Sequence, residues 1–189
     1  MTLIWIILGF SLLIAGLVFI VRRQQAKPAA QPAILTAVMG LALAGGLSTF
    51  IYHQGSQLPT AELVDMQDNR GALTDYFDGR PLVVNLWASW CPPCVREMPM
   101  LEAAEQTHQD VRFVFINQRE HVDLVSQFLI EHSLELETVL RDHNGDFSAA
   151  VGAHVMPTTL FFNADATLMK RYYGEVNETI LQQGLELIR

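Results

Sequence analysis

The pattern of hydrophobic and polar positions divides the chain at about residue 52. Two apolar runs, residues 3–21 and 33–52, come first, and neither contains a charged residue. Each has about the 20 residues that cross a hydrocarbon core of roughly 30 Å as a helix, so the pattern predicts two transmembrane helices. A cleaved signal peptide is the alternative for the first run. That run lacks a basic leader, exceeds the roughly 7 to 15 apolar residues of such peptides, and is followed by a second run.

The loop between the two runs predicts how the chain is oriented. Residues 22–32 contain Arg22, Arg23 and Lys27 and no acidic residue. Short cationic loops stay in the cytoplasm, so we expect residues 1–21 to contain the first transmembrane helix, with the N-terminus and everything after Tyr52 on the opposite face of the membrane. In a bacterium, this places the remainder of the chain on the periplasmic side of the inner membrane, with the lipid bilayer as a predicted partner.

Beyond a polar linker at residues 53–61, strand and helix patterns alternate over about 130 residues, enough for one compact domain. Short β-branched runs indicate strands, and apolar residues three or four apart indicate helices. The order predicts an α/β fold with a mixed central sheet flanked by helices. The predicted strands are 62–66, 82–87, 111–117, 138–140, 158–163 and 168–173, the helices are 92–106, 122–132 and 178–188, and helical turns lie at 72–77 and 145–151.

Charge is as unevenly distributed as hydrophobicity. All twenty acidic residues lie at or after Glu62, whereas three of the twelve basic residues precede it. The predicted domain is therefore acidic. A nucleic-acid partner would need a basic surface to neutralise phosphates, so this class of partner is not expected.

The chain contains only two cysteines, Cys91 and Cys94. In a helical turn their spacing brings the two Cα atoms to roughly 5 to 6 Å, within the range of a disulfide. Half of a zinc site is one alternative, but a zinc site needs four ligands, and the sequence has neither a second cysteine pair nor two suitably spaced histidines. A structural disulfide is another alternative, although closing so small a loop removes little unfolded-state entropy.

The position of the pair favours redox chemistry. Cys91 follows the predicted strand 82–87, and a helix begins at Pro92, so the helix dipole is expected to lower the pKa of the Cys91 thiol. Cys94, one turn into the helix, suits a resolving thiol. Neither Pro92 nor Pro93 has an N–H, which leaves the Cys94 amide as the main local donor to the Cys91 sulfur. Moderate stabilisation of the thiolate favours a reductant, because strong oxidants have a very stable reduced form.

Two separated motifs resemble the thioredoxin superfamily, and within it the membrane-anchored TlpA, ResA and CcmG-like disulfide reductases. They are WASWCPPCVREMP at residues 87–99 and VMPTTLFF at residues 155–162. The likeness covers roughly residues 60–189. It implies a thioredoxin-like domain at residues 62–189 that needs no cofactor besides its redox-active cysteine pair.

The resemblance also implies which residues meet a substrate. Pro157 should be a cis-proline beside the cysteines, which would leave the Met156 backbone free to pair with an incoming strand. Together with Trp90, Pro92 and Pro93, these two residues make up the predicted substrate-binding set.

Two polar positions bear on proton transfer. Asn85 occupies the place where thioredoxins carry a buried aspartate, and an asparagine cannot titrate. Glu97 lies three residues after Cys94 on the same helical face, where TlpA-like proteins have an acid. A partly buried Glu97 with a raised pKa could accept the Cys94 proton, so Cys91, Cys94 and Glu97 are the predicted catalytic residues. An ordinary solvated glutamate is the alternative for Glu97.

The resemblance implies reduction of disulfides in exported proteins, with re-reduction by a membrane electron donor of the DsbD or CcdA kind. Two departures narrow this expectation. The family usually has one anchor, not two, and CcmG-like members read Pro-Glu-Thr where this chain has Pro157-Thr158-Thr159. The alternatives are a DsbA-like oxidant and a non-catalytic thioredoxin-fold module that docks a partner or carries a metal. A thiol peroxidase is less favoured, because its peroxidatic cysteine needs a different surrounding loop, which this sequence lacks.

Overall fold

The computed structural model describes residues 58–189. The two predicted transmembrane helices, the loop between them and the first part of the linker lie outside the described residues. Within residues 58–189, no helix combines the length and the apolar character needed to cross a membrane.

The described part folds into alternating strands and helices, as predicted, and the ends of the predicted elements agree within two residues. The strands are β1 (Glu62–Asp65), β2 (Arg70–Ala72), β3 (Leu82–Trp87), β4 (Arg112–Gln118), β5 (Val139–Asp142), β6 (Thr158–Phe162) and β7 (Leu168–Tyr173). The helices are α1 (Pro92–Thr107), α2 (Val122–Glu131), α3 (Asp146–Ala150) and α4 (Glu178–Ile188), and a 3-10 helix spans Leu73–Tyr76.

Strand β2 was not predicted, because the pattern indicated only a turn at residues 68–71. The turn exists, and the Asp65 carboxylate fixes it by accepting from the amide N–H groups of Gln67 at 2.8 Å and Asn69 at 2.9 Å. The chain then returns antiparallel to β1, with Glu62 opposite Ala72. A three-residue strand is too short to show an alternating pattern, which is why the sequence did not reveal it.

All seven strands form one mixed sheet in the order β2-β1-β5-β4-β3-β6-β7. Strand β4 runs parallel to both β3 and β5, and the remaining pairs are antiparallel. This arrangement confirms the predicted mixed central sheet.

Helices cover both faces of the sheet because alternate residues of β3 point to opposite sides. Val83 and Trp87 pack in one cluster with apolar residues of α1, α2 and α4. Leu82, Val84 and Leu86 pack in the other cluster, with residues of the 3-10 helix and α3. Burial of these two apolar layers is the main force that holds the sheet between its helices.

The sheet brings three segments together at one end of its strands, the carboxyl ends of β3 and β4. Trp87 and Asn117 are neighbours at the carboxyl ends of the parallel strands β3 and β4, so the segments that follow them start side by side. Strand β6 is antiparallel to β3, with Thr158 opposite Leu86. The segment that precedes β6 therefore lies at the same end of the sheet as Cys91.

Candidate active site

Cys91 and Cys94 form a disulfide at the amino terminus of α1, and their Cα atoms are 5.3 Å apart. Cys91 is the residue immediately before the first helical turn. Its exposed fraction is 3 %, and that of Cys94 is 0 %. The two cysteines are therefore close enough to form a disulfide, and the role of Cys91 as the attacking thiol remains a prediction.

Among residues 58–189, one backbone amide donates to the Cys91 sulfur, as predicted. The Cys94 amide N–H donates to Sγ of Cys91 at 3.4 Å. Pro92 and Pro93 occupy the first two helical positions and have no N–H to donate. A thiolate on Cys91 would therefore receive one local backbone hydrogen bond in addition to the helix dipole.

Glu97 lies one turn beyond Cys94 on α1 and is 2 % exposed. Its carboxylate accepts from Nδ2 of Asn85 at 2.8 Å and from the amide N–H of Val176 at 2.7 Å. Burial raises the pKa of Glu97 to about 7, against the opposing effect of these two hydrogen bonds. The interpretation of Glu97 as a solvated surface glutamate is wrong, and its role in proton transfer remains a prediction.

Asn85 connects Glu97 to the strand that follows Pro157. Its Nδ2 also donates to Oγ1 of Thr159 at 3.1 Å, across the antiparallel pair β3 and β6. Sequence reasoning did not single out Thr159. The sequence feature that could have identified Thr159 is a hydroxyl within a strand of buried residues, since a buried hydroxyl needs a hydrogen-bond partner.

A second buried carboxylate, Glu120, holds the segment that precedes Cys91. It is 7 % exposed and accepts from the amide N–H of Ser89 at 2.7 Å, from the Ser89 hydroxyl, and from Nδ2 of Asn117 at 2.6 Å. Sequence reasoning missed this contact as well. The usable signal was an acid three residues after a buried asparagine at the carboxyl end of a predicted strand.

The five predicted substrate-binding residues differ in exposure. Trp90 is 69 % exposed, Pro92 is exposed, Pro93 and Met156 are half-buried, and Pro157 is buried. The Met156–Pro157 peptide bond is cis, as the resemblance implies. Trp90 and Met156 line the same groove, so the structure brings the two predicted motifs together.

Side chains that commonly bind metal ions are dispersed in this part of the chain. Between residues 58 and 189, no group of three or more His, Cys, Asp or Glu residues could hold a metal ion. The redox group that the structure does contain is the Cys91–Cys94 pair.

Comparison with known proteins agrees with this geometry. The family model described as Redoxin matches residues 53–185. The thiol:disulfide interchange protein DsbE of Vibrio cholerae is 31% identical over 133 residues, which cover 69% of this chain and 71% of that protein. The thiol-disulfide oxidoreductase ResA of Halalkalibacterium halodurans is 28% identical over 137 residues, covering 71% and 77%.

The solved structures confirm the expected thioredoxin-like fold. The structure of DsbF of MTB superimposes with a TM-score of 0.63 at 20% identity, covering 70% of this chain and 100% of that one. At this identity, the likeness establishes the fold alone. The fold nevertheless places the cysteine pair, the cis-proline and the groove at one edge of the sheet, as the geometry above describes.

Proposed function

Because this chain belongs to the Redoxin family, we propose that it is a membrane-anchored disulfide reductase of exported proteins that acts through Cys91 and Cys94. Like its relatives DsbE and ResA, it is a thiol-disulfide oxidoreductase. The observation that supports the proposal most directly is the Cys91–Cys94 disulfide at the start of α1, with the buried Glu97 one turn behind it.

The reaction begins with the reduced pair. The Cys91 thiolate attacks one sulfur of a substrate disulfide, so a bond between Cys91 and the substrate forms while the substrate S–S bond breaks. The other substrate sulfur leaves as a thiolate and takes up a proton. Cys94 then attacks the Cys91 sulfur, the protein disulfide forms, and the first substrate sulfur leaves. Two electrons thereby pass from the protein to the substrate.

Cys94 must lose its proton before it can attack. Glu97 lies three residues further along α1, on the same face of the helix. With its pKa raised to about 7 by burial, Glu97 is ionised in part near neutral pH and can accept that proton. Asn85 and the Val176 amide orient the carboxylate, since each donates to one of its oxygens.

The direction of electron flow follows from how well the reduced pair is stabilised. One local amide, that of Cys94, donates to the Cys91 sulfur. This limited support favours a reductant, which equilibration with glutathione or dithiothreitol buffers would test. A potential near or below roughly −270 mV, the value of thioredoxin, supports the proposal. A value towards roughly −120 mV, that of DsbA, would make the protein an oxidant.

The proposed location depends on the sequence pattern. Two apolar runs of helical length flank a loop with three cations and no anions, which favours a hairpin anchor with the redox domain on the periplasmic side. A membrane donor of the DsbD or CcdA kind would then re-reduce the pair. Intact spheroplasts treated with a membrane-impermeant maleimide after reduction should show labelled cysteines. Labelling only after lysis would contradict this orientation.

Trapping would identify the substrates. A Cys94→Ser variant can form the mixed disulfide but cannot resolve it, so it should accumulate covalent complexes with exported proteins. A reductant should cleave these complexes. The Cys91→Ser variant, which lacks the attacking thiol, is the matched control and should yield none. Absence of complexes from the Cys94→Ser variant would contradict a reductase role.

A further inference from the structure

An open groove of about 380 Å³ includes Trp90, the residue immediately before Cys91, in its lining. Trp90 and Met156, from the two motifs, form part of its lining, so the groove is continuous with the predicted substrate-binding surface. Arg119 and His154 line it as well, and both are exposed. A polypeptide that occupies this groove while it reacts with Cys91 would therefore meet a guanidinium group.

The charge of this groove is opposite to that of the domain around it. Twenty acidic residues lie after residue 61, against nine of the chain's twelve Lys and Arg residues. The groove lining contains no Asp or Glu. Within residues 58–189, no ion pair or hydrogen bond involves the Arg119 side chain, whereas Arg70, Arg80, Arg96, Arg112, Arg141 and Arg189 are all paired with carboxylates.

The backbone at Arg119 is anchored to β5, and its guanidinium lies beside a glycine. Arg119 follows β4 with a φ of 61°, and its amide N–H donates to the carbonyl oxygen of Asp142 at 3.1 Å. Its guanidinium lies against Gly145, where an added Cβ would collide with the Nε, Cζ and Nη2 atoms. The missing side chain at Gly145 thus provides the space that the guanidinium occupies.

We propose that Arg119 determines specificity by binding an Asp or Glu side chain that lies within a few residues of the reactive cysteine of the substrate. This inference rests on the proposed function and names the class of substrate. A guanidinium binds a carboxylate through two parallel hydrogen bonds, which fixes orientation as well as charge. The acidic surface elsewhere repels such a segment, so the groove is where its carboxylate meets an opposite charge.

Two probe peptides test the proposal on the full-length chain, reduced and freed of reductant. Each is a ten-residue peptide whose central cysteine forms a mixed disulfide with 2-nitro-5-thiobenzoate, and they differ only in Glu or Lys two positions from that cysteine. Cys91 attacks the peptide sulfur, the mixed disulfide breaks, and the coloured aromatic thiolate leaves. The rate constant for attack of the protein on each peptide is divided by the rate constant for attack of 2-mercaptoethanol, an uncharged thiol, on the same peptide.

We expect the Glu peptide to react roughly three to five times faster than the Lys peptide at low salt, and the ratio to fall at high salt. The Arg119→Gln variant should remove the preference, and Arg119→Glu should reverse it. Lys170→Gln is the matched control, because it removes a cation from β7, outside the groove, and should keep the ratio. Any change in the reactivity of Cys91 itself affects both peptides equally, so it cancels in the ratio of the Glu peptide to the Lys peptide.

The remaining outcomes separate the two proposals. Equal normalised rates for the wild type, or a preference that persists in Arg119→Gln, would overturn the role of Arg119 while the reductase function stands. Failure of the reduced wild type to react with either peptide would instead contradict the proposed function on which the inference rests.

Discussion

The side-chain amide of Asn85 donates a hydrogen bond of 2.8 Å to the carboxylate of Glu97 in the interior of the domain. The donor favours the charged form of Glu97, and burial disfavours it. Burial has the larger effect, so the pKa of Glu97 is raised to about 7. Asn85 cannot titrate, which makes Glu97 the member of this pair that can exchange a proton near neutral pH.

The first prediction concerns the pH dependence of resolution, the step in which Cys94 attacks the mixed disulfide. Below its pKa of about 7 Glu97 is protonated and cannot accept the Cys94 proton, so the rate constant of this step should rise through that pH. Glu97→Gln should remove this inflection and slow resolution roughly 100-fold at alkaline pH. Quenched-flow measurement of the mixed disulfide over time gives the rate constant.

Glu105→Gln is the matched control for that experiment. Glu105 is also on α1, is 7 % exposed, and has a pKa raised to about 7, principally by burial. It lies 11 residues beyond Cys94 along the chain, or roughly 16 Å along the helix axis. Its variant should keep the wild-type pH profile. An inflection near pH 7 that persists in Glu97→Gln would contradict the proposed proton acceptor.

The second prediction concerns stability and pH. The pKa values of Glu97 and Glu105 are raised from 4.5 to about 7 on folding, so the folded state binds more protons between these pH values. The stabilisation by each protonated carboxyl is complete below about pH 4.5 and is lost as pH rises through about 7. The wild type should therefore lose stability on the order of 3 kcal/mol for each group over this range.

Urea unfolding of wild type and Glu105→Gln near pH 5 and near pH 8 measures this loss. The glutamine stays neutral, so the variant should be more stable than wild type at the higher pH and similar to it at the lower pH. Among the described residues, Oε1 of Glu105 has no hydrogen-bond partner, and only the Glu137 amide N–H donates to Oε2, at 3.2 Å. An equal pH dependence in both proteins would show that Glu105 titrates normally.

Much of this fold follows from local pattern. The strands and helices have enough residues for their periodicity to be visible, and Pro92 marks the start of α1. Strand β2 contains three residues and depends on pairing with β1, so no local signal indicated it. The cysteine pair and Pro157 were predictable because each belongs to a short contiguous motif.

The surroundings of the catalytic residues were less predictable because they depend on residues far apart in the chain. Glu97 accepts from Asn85, 12 residues before it, and from the Val176 amide, 79 residues after it. The partner of Ser89 is Glu120, 31 residues later. These contacts exist because β3 lies between β4 and β6 in the sheet and because α1 meets the segment that follows β7. A pattern within one segment does not contain such pairing.

The third prediction concerns the packing of α4 on the sheet. Gly184 lies on this helix, and a Cβ there would collide with the buried ring of Phe161 on β6. Gly184→Ala should therefore destabilise the protein by about 1–3 kcal/mol, although alanine favours helix. Gln183→Ala, at the exposed neighbouring position, is the control and should change stability by less than about 0.5 kcal/mol. Equal unfolding midpoints for both variants and wild type would show that the ring moves without cost.

The fourth prediction concerns the segment before Cys91. Glu120→Ala removes the acceptor for the Ser89 amide and hydroxyl and for the Asn117 side chain, so buried donors lose their partners. Unfolding should become easier by about 1–3 kcal/mol. Because the segment from Ser89 to Cys91 would also loosen, the rate constant of Cys91 attack on a peptide disulfide should fall.

Two further variants separate these effects. Glu120→Gln keeps an oxygen acceptor, so it should recover most of the stability and of the rate constant. Glu62→Ala removes an exposed carboxylate paired with Arg70 and should change either quantity little, since such surface pairs contribute about 0–1 kcal/mol. If Glu120→Ala lost stability yet attacked peptide disulfides at the wild-type rate, Glu120 would support the fold without positioning Cys91.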